Sequence, residues 1–426
     1  MNILMMTNTY SPHVGGVARS VEAFTDGYRR RGHRTLVVAP VFDDMAPSET
    51  DVIRIPAIQR FNGSDFSVVL PVSAMLRLAL NEFEPDIVHS HHPFLIGSTA
   101  LRIARMYELP LVFTHHTMYE RYTHYVPGDS KPLKRFVIQL TTCYANLCDQ
   151  VFAPSESVAE LLRKRQVEAP IAVVPTGVDT QRFSEGDGVA FRKMMDIPTD
   201  AFVVGHLGRL ALEKNLEFLS QGVIRFLKKN EKACFLLVGK GDAESLIHAQ
   251  FEGEGLSKRL HSVGVLQYPM LVSAYQAMDV FAFCSLSETQ GMVLAEAMAA
   301  GVPVVALDAP GVREIVRDHH NGRLLDEQNA VDFAEALNDM ARLSVPQRQA
   351  YRRAALASAE EFSTERSVGK ALAIYEGLIS RAGLPWQRDD SAWKQLLGLI
   401  KGEWSLIKSY AEAAGGAFED VDVDNR

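Results

Sequence analysis

Two rhythms alternate along this chain. Short, continuously apolar runs are each followed by a loop, and then by a longer stretch with apolar residues three and four apart. The first run, Ile3–Thr7, predicts a strand buried on both faces. The loop Ser11-Pro12-His13-Val14-Gly15-Gly16 follows, then a helix marked by Val17, Val21, Phe24 and Tyr28 and closed at Gly32. Thr35–Ala39, Asp86–His89, Leu111–Thr114 and Gln150–Ala153 read as further strands, and Leu133–Leu147 and Ser157–Arg165 as helices. Pro175 to Pro198 reads as a linker, with Pro-Thr-Gly-Val-Asp and then Ser-Glu-Gly-Asp-Gly. The rhythm then restarts. Phe202–His206, Cys234–Val238, Val280–Cys284 and Val302–Leu307 predict strands, and Asn215–Lys229 and Met292–Ala300 helices. Such alternation predicts an α/β protein with two Rossmann-like parallel-sheet domains, residues 1–182 and 183–384, facing each other across a cleft. Past Pro385, residues Trp393, Leu396, Leu397, Ile400, Trp404 and Ile407 share one helical face. The tail 385–426 is therefore expected to be helical and to pack back on the first domain as a crossing helix.

Composition narrows the function. Of 426 residues, 47% are hydrophobic and 23% charged, which is ordinary for a globular protein. Residues 1–182 carry equal numbers of basic and acidic side chains, and the formal charge of −8 falls in the remainder. With no basic bias, nucleic acid is not an expected partner. No apolar run reaches the ~18 residues that span a bilayer. The first apolar run ends at Asn8 without a basic leader, which is not the pattern of a secretory signal. The four cysteines show no paired CxxC, so a reducing, cytoplasmic setting is expected.

Parallel sheets bind ligands at the carboxyl ends of their strands, so the loops there carry the candidate chemistry. Gly15-Gly16 lets backbone approach a phosphate at a helix start, although two glycines also suit any tight turn, and the spacing is not GxGxxG. Arg209 and Lys214 follow the first strand of the second domain and could hold a diphosphate leaving group; the bland reading is a solvated, charged loop. Glu288 precedes a helix opened by Gly291. The first-turn amides there, at Gln290, Gly291, Met292 and Val293, are donors lacking helical partners. Glu288 suits sugar hydroxyls, or else only the helix dipole. Glu296 suits a ribose diol; set among Leu294, Ala295, Ala297 and Met298, a carboxylate needs a partner. His89, His91, His92, His115, His116 and His124 cluster at two strand ends. Substrate-bonding or core histidines are favoured over a metal site, because no carboxylate lies at ligand spacing.

Glu288 and Glu296, followed by Ala-Met-Ala-Ala-Gly-Val-Pro, occur together with Gly15-Gly16, Arg209, Lys214 and Gly239-Lys240-Gly241. As a set they resemble the family 4 retaining glycosyltransferases of the GT-B fold over about residues 1–380. The resemblance implies a nucleotide-sugar donor, retained anomeric configuration and no cofactor or metal. It makes Glu288 the sugar-hydroxyl acceptor, Glu296 the ribose acceptor, and Arg209 and Lys214 the diphosphate clamp. Gly16 approaches the diphosphate, Gly15 and Gly239 belong to the donor-binding set, Leu266 meets the base through its backbone, and His116, with His115 ranked second, lies near the donor sugar. The string 115–127, His-His-Thr-Met-Tyr-Glu-Arg-Tyr-Thr-His-Tyr-Val-Pro, and Ser-Glu-Thr-Gln-Gly at 287–291 are similar to diacylglycerol glucosyltransferases. That likeness implies transfer of glucose from a UDP-sugar to diacylglycerol, with Tyr119, Glu120 and Tyr122 beside His115 on the acceptor side. A GDP-mannose-dependent mannosyltransferase acting on phosphatidylinositol or a soluble acceptor shares the whole donor set. A non-catalytic sugar-nucleotide-binding protein is expected to have lost Glu288, Arg209 or Lys214. Basic residues at 29–31, 34, 131–135 and 163–165 add the expectation of peripheral binding to an anionic membrane surface, on the inner face of the cell membrane.

Overall fold

The computed structural model describes residues 1–13, 15–42, 45, 49–58, 68–69, 74–121, 130–286 and 288–382. They divide into two compact units, Met1–Gly177 with the segment after Ser367, and Val178–Arg366.

The first unit holds the strands β1 (Asn2–Met6), β2 (Arg34–Pro40), β3 (Val52–Ile55), β4 (Ala57–Ile58), β5 (Val68–Val69), β6 (Ile87–Ser90), β7 (Leu111–Thr114), β8 (Gln150–Ala153) and β9 (Ile171–Val173). Seven form one sheet in the order β3-β2-β1-β6-β7-β8-β9, every pair parallel, while β4 and β5 make a small antiparallel pair. Alternate residues feed opposite cores. Leu4, Met6, Leu36, Val38 and Val88 enter one, and Ile3, Met5, Val37, Ala39 and Ile87 the other. That double burial is why these strands read as unbroken apolar runs.

The second unit repeats the design with β10 (Phe202–Leu207), β11 (Ala233–Val238), β12 (Leu260–Ser262), β13 (Val280–Phe283), β14 (Val304–Leu307) and β15 (Gly322–Leu325). Its sheet order is β12-β11-β10-β13-β14-β15, again wholly parallel. Val203, Leu236, Phe281 and Val304 face one core, and Val204, Phe235, Ala282 and Val305 the other. Each sheet therefore has a topological switch point, between β1 and β6 in the first unit and between β10 and β13 in the second.

Two expectations need correction. The stretch 175–198 is not a plain linker. Asp179 caps a helix at Thr180–Ser184 by accepting from Arg182 N (3.1 Å), and Asp187 caps another at Gly188–Met194 by accepting from Ala190 N (2.8 Å). Phe183 and Phe191 from these helices are buried in the second unit's core, so the boundary lies after Gly177 and not after residue 182. The second boundary moves from 384 to Arg366. Past that boundary the chain returns to the first unit: the helix Thr364–Ala382 sends Val368, Ala371, Leu372, Tyr375 and Leu378 into its core at helical spacing. The tail 385–426 lies outside the described residues.

The returning helix meets the helix Gly16–Arg30 where no side chain intervenes. A Cβ on Gly27 would lie 2.4 Å from Val368 Cγ2. Gly27→Leu is therefore expected to destabilise the first unit by ~2 kcal/mol or more through overpacking. Adding Val368→Ala should restore part of the loss. Urea unfolding of the single and double variants checks this, and an unchanged midpoint for Gly27→Leu would contradict the packing.

Candidate functional site

In the second unit the candidate residues collect at the carboxyl edge of the sheet. The loop after β10 begins at Gly208 and carries Arg209, Glu213 and Lys214; the loop after β13 carries Glu288 and Gln290. These two loops flank the switch point, and one contact joins them. Lys214 Nζ donates to Glu288 Oε1 at 2.6 Å, with both side chains less than one-fifth exposed. Burial pushes the Glu288 carboxyl up, but the Lys214 charge and hydrogen bond, the Ser285 hydroxyl and His206 hold it below its ordinary value. Glu288 is therefore a carboxylate at neutral pH. Arg209 pairs with Glu213 one helical turn on and keeps about half its side chain exposed.

Backbone shape is as specific as the charges. Gly239 follows β11 at φ 136°, and a Cβ there would stand 1.9 Å from the Gly208 carbonyl oxygen. The loops after β10 and β11 can approach this closely only with glycine. Gly239 N donates to Gly264 O (2.8 Å), which ties in the loop after β12 that carries half-buried Leu266. Gly291 is the N-cap of the helix Met292–Ala299 and Gln290 before it is buried; Met292 and Val293 supply the first-turn amides and are half-buried. Glu296 is buried on this helix, and its Oε2 accepts from Tyr275 OH at 2.8 Å. The partner that its apolar setting demanded is thus a tyrosine from the helix Met270–Gln276.

Two neighbours went unread in the sequence. His206 lies inside β10, its ring stacked on Phe281 and Phe283 and its Nδ1 hydrogen-bonded to Ala282 O (3.0 Å). Burial lowers it to about 4, so it is neutral. Asn215 takes a left-handed conformation just before the helix Leu216–Lys229 and donates to Cys284 O (3.2 Å), a second tie across the switch point.

In the first unit the histidines stand at the ends of β6 and β7. His91 Nδ1 and His116 Nε2 share a hydrogen bond of 2.9 Å, and Asn8 N donates to His92 Nδ1 (3.1 Å) across the switch point. His89 lies deeper, bonded through Nε2 to Thr114 Oγ1 (2.7 Å) and through Nδ1 to Tyr375 of the returning helix, whose hydroxyl also meets Tyr28. Burial lowers His89 and His92 to about 3 and His115 to about 4, and lowers His91 and His116 well below the usual value. All five are neutral imidazoles at pH 7. His91 Nε2 and His115 Nδ1 are buried with no hydrogen-bond partner among the described residues. No three metal-ligating side chains converge among the described residues.

Tyr119 is buried beside His115, with ring centroids 6.3 Å apart. Glu120 is committed to Arg165 (2.6 Å), so this acceptor-side candidate has a structural ion pair. Gly15 caps the helix that Gly16 begins, at the end of the loop after β1. Tyr122, His124 and Ser287 lie outside the described residues.

Two family models match the chain, Glycosyltransferase Family 4 over residues 14–182 and Glycosyl transferases group 1 over residues 190–357. The chain belongs to the family 4 glycosyltransferases. It is 28% identical over 338 residues to the alpha-monoglucosyldiacylglycerol synthase of Acholeplasma laidlawii, covering 76% of this chain and 84% of that relative. It is 29% identical over 403 residues to a GDP-mannose-dependent alpha-mannosyltransferase of Mycobacterium tuberculosis, covering 89% and 98%. Among solved structures, Anabaena HepE in complex with UDP and glucose superposes with a TM-score of 0.70 at 23% identity, covering 89% of this chain and 100% of that one. Sucrose-phosphate synthase from Thermosynechococcus elongatus gives 0.73 at 18% identity, covering 89% and 99%. The fold is GT-B.

The Lys214–Glu288 pair generates a stability prediction. Because the folded Glu288 carboxyl lies below its ordinary value, its stabilisation is complete above the unfolded value of ~4.3 and is lost as pH falls through the lower folded value. Lys214→Met should cost about 2 kcal/mol at pH 7, since it strands a largely buried carboxylate. The gap from wild type should narrow as pH falls, beginning above the ordinary carboxyl value of ~4.3, because burial without Lys214 raises the stranded carboxyl, and continuing down through the lower value of the paired one. Urea midpoints across that range check it, and a gap that widens with acid would contradict the assignment.

Proposed function

We propose that this glycosyltransferase is a retaining hexosyltransferase that moves glucose from a UDP-sugar to a lipid acceptor such as diacylglycerol. The observation that carries the donor half is the Lys214–Glu288 contact across the switch point, with Arg209 on the same loop and the Gly291 helix start following Glu288. In this reading Lys214, Arg209 and the first-turn amides face the diphosphate, Glu288 accepts from sugar hydroxyls, Glu296 accepts from the ribose and the Leu266 backbone meets the base. Gln290, buried before the helix, shapes the sugar pocket.

The chemistry then balances without a cofactor. The bond from the anomeric carbon to the β-phosphate oxygen breaks, its electron pair leaves on the diphosphate, and the clamp stabilises the negative charge that gathers there. The acceptor hydroxyl attacks on the leaving-group face and passes its proton to a phosphate oxygen. No acid–base carboxylate pair of the glycosidase kind is required. The first unit's neutral imidazoles hydrogen-bond substrate and carry no charge. His116 and His115 are the first candidates, and the Nδ1 of His115, buried with no partner among the described residues, is an atom that a hydroxyl would satisfy.

Lipid as acceptor draws on the 115–127 string and on the diacylglycerol-glucosylating relatives. It also draws on the helix Lys131–Asn146. Lys131 and Lys134 are exposed, and Leu133, Phe136, Val137 and Leu140 form one face at i, i+3, i+4 and i+7 with none fully buried. A basic start beside an incompletely covered apolar stripe suits the surface of an anionic bilayer at a cytoplasmic membrane face. The other basic clusters count for less, since Arg29 pairs with Asp51, Arg163 with Glu156 and Arg165 with Glu120. No described helix is long and apolar enough to cross a membrane. The second reading, a GDP-mannose-dependent mannosyltransferase, is favoured by the relative that covers more of this chain.

The decisive assay offers purified protein UDP-glucose and GDP-mannose, with diacylglycerol or phosphatidylinositol in mixed micelles and a soluble acceptor. The expected product is α-glucosyl diacylglycerol, formed equally in excess EDTA, with the protein sedimenting on anionic but not neutral liposomes. Mannosyl transfer, or transfer to the soluble acceptor without liposome binding, would displace this reading. Within the same assay, Lys214→Ala and Arg209→Ala should each lower kcat by ~100-fold, as loss of a transition-state charge contact does. Unchanged turnover in both would remove them from the clamp.

A further inference from the structure

Tyr275 places a hydroxyl on the one buried carboxylate of the apolar helix Met292–Ala299. Its ring is wholly buried and wedged between Phe183 and Phe281, with centroids 5.7 and 5.8 Å away. The two neighbours come from different elements, Phe183 from the helix Thr180–Ser184 and Phe281 from β13. The hydroxyl is therefore positioned by the hydrophobic core, and only its O–H torsion is adjustable. It donates to Glu296 Oε2 at 2.8 Å, with Val293 O at 3.5 Å as a weaker alternative.

A carboxylate on a two-carbon stem can rotate about its last bond. A diol recognised by two hydrogen bonds needs that plane fixed in advance. We propose that Tyr275 is a positioning residue for ribose recognition: by holding Oε2 of Glu296 it sets the plane in which the carboxylate meets the two ribose hydroxyls. This rests on the reading of Glu296 as the ribose acceptor. It adds that the specificity for a ribonucleotide is anchored outside the loops, in the core of the second unit, and by a residue that never touches the donor.

The bland alternative is that the phenol merely satisfies a buried carboxylate and stabilises the fold. The two differ in what they do to ribose selectivity. The test measures binding of UDP and of 2′,3′-dideoxy-UDP, with the GDP pair in parallel, to the full chain by calorimetry. Tyr275→Phe removes one oxygen and keeps the ring packing. It is expected to lower the preference for the ribonucleotide about fivefold or more while leaving dideoxynucleotide affinity within about twofold. Glu296→Gln, which keeps the shape of the side chain, should also lower the preference, and Tyr275→Phe should change it no further in that background. Equal weakening of both nucleotides by Tyr275→Phe, or a preference left intact, would overturn the proposal while leaving the Glu296 assignment standing. A wild-type protein that binds both nucleotides alike, or a Glu296→Gln variant with full preference, would overturn the Glu296 assignment and the proposal with it.

Discussion

Burial of both faces of both sheets is the constraint on which the rest depends. When Leu4 and Met6 enter one core and Ile3 and Met5 the other, a central strand has no face left for chemistry. Each fully buried side chain of this kind contributes ~1.5–3 kcal/mol, so a polar group cannot replace one cheaply. Function is forced to the strand ends. There parallel strands all expose the same end, and the reversal of strand order opens a crevice. Lys214 and Glu288 in the second unit, and Asn8 and His92 in the first, meet where that reversal occurs.

The two units use their switch points with opposite electrostatics. In the second, a cation, a carboxylate and a helix start are brought together, and the carboxylate stays charged because Lys214 outweighs its burial. Such a site suits a ligand whose own charge is large and changes during reaction. In the first, five histidines are neutralised by burial, and four of them hydrogen-bond to one another, to threonine, to tyrosine and to backbone. Imidazoles pushed to about 3 or 4 cannot become a positive patch at any physiological pH. They offer donors and acceptors, which is what an uncharged hydroxyl needs. The electrostatic contrast between the two switch points is thus written in burial as much as in residue type.

What could be read from the sequence follows the same logic. β1, β7, β10 and β13 were visible as apolar runs because double burial leaves no alternation to confuse the period. The carboxyl-end loops were visible because glycine and charge are conspicuous after such runs. The short helices at Thr180–Ser184 and Gly188–Met194 were hidden because each is a single capped turn or two; their signal was Asp179 and Asp187, not periodicity. His206 was hidden because one polar residue in an apolar strand looks like a tolerated exception, and its role comes from Lys214 and Glu288 in distant loops. Tyr275 was hidden for a related reason. A tyrosine in a short buried helix signals packing, and nothing in its own surroundings points twenty-one residues on to Glu296. Glu120 shows the reverse case, a residue conspicuous in a motif whose ion pair with Arg165 was not visible there.

The identity of the donor base stays illegible for a physical reason as well. The loops after β11 and β12 are held by Gly239 N to Gly264 O, and in the proposed reading the base is met by the backbone at Leu266. A peptide group presents one donor and one acceptor whatever side chain it bears. Uracil and guanine are then distinguished by where those two groups point, which is a property of loop geometry fixed by glycines at positive φ, including Gly239, Gly241 and Gly264. A glucosyl and a mannosyl donor could therefore be held by the same four side chains, Arg209, Lys214, Glu288 and Glu296, in the proposed reading, and still differ in base. In that reading the clamp recognises what all nucleoside diphosphate sugars have in common. Discrimination would then fall to backbone shape at one end of the ligand and to the side chains proposed to face the sugar, Glu288 and Gln290, at the other.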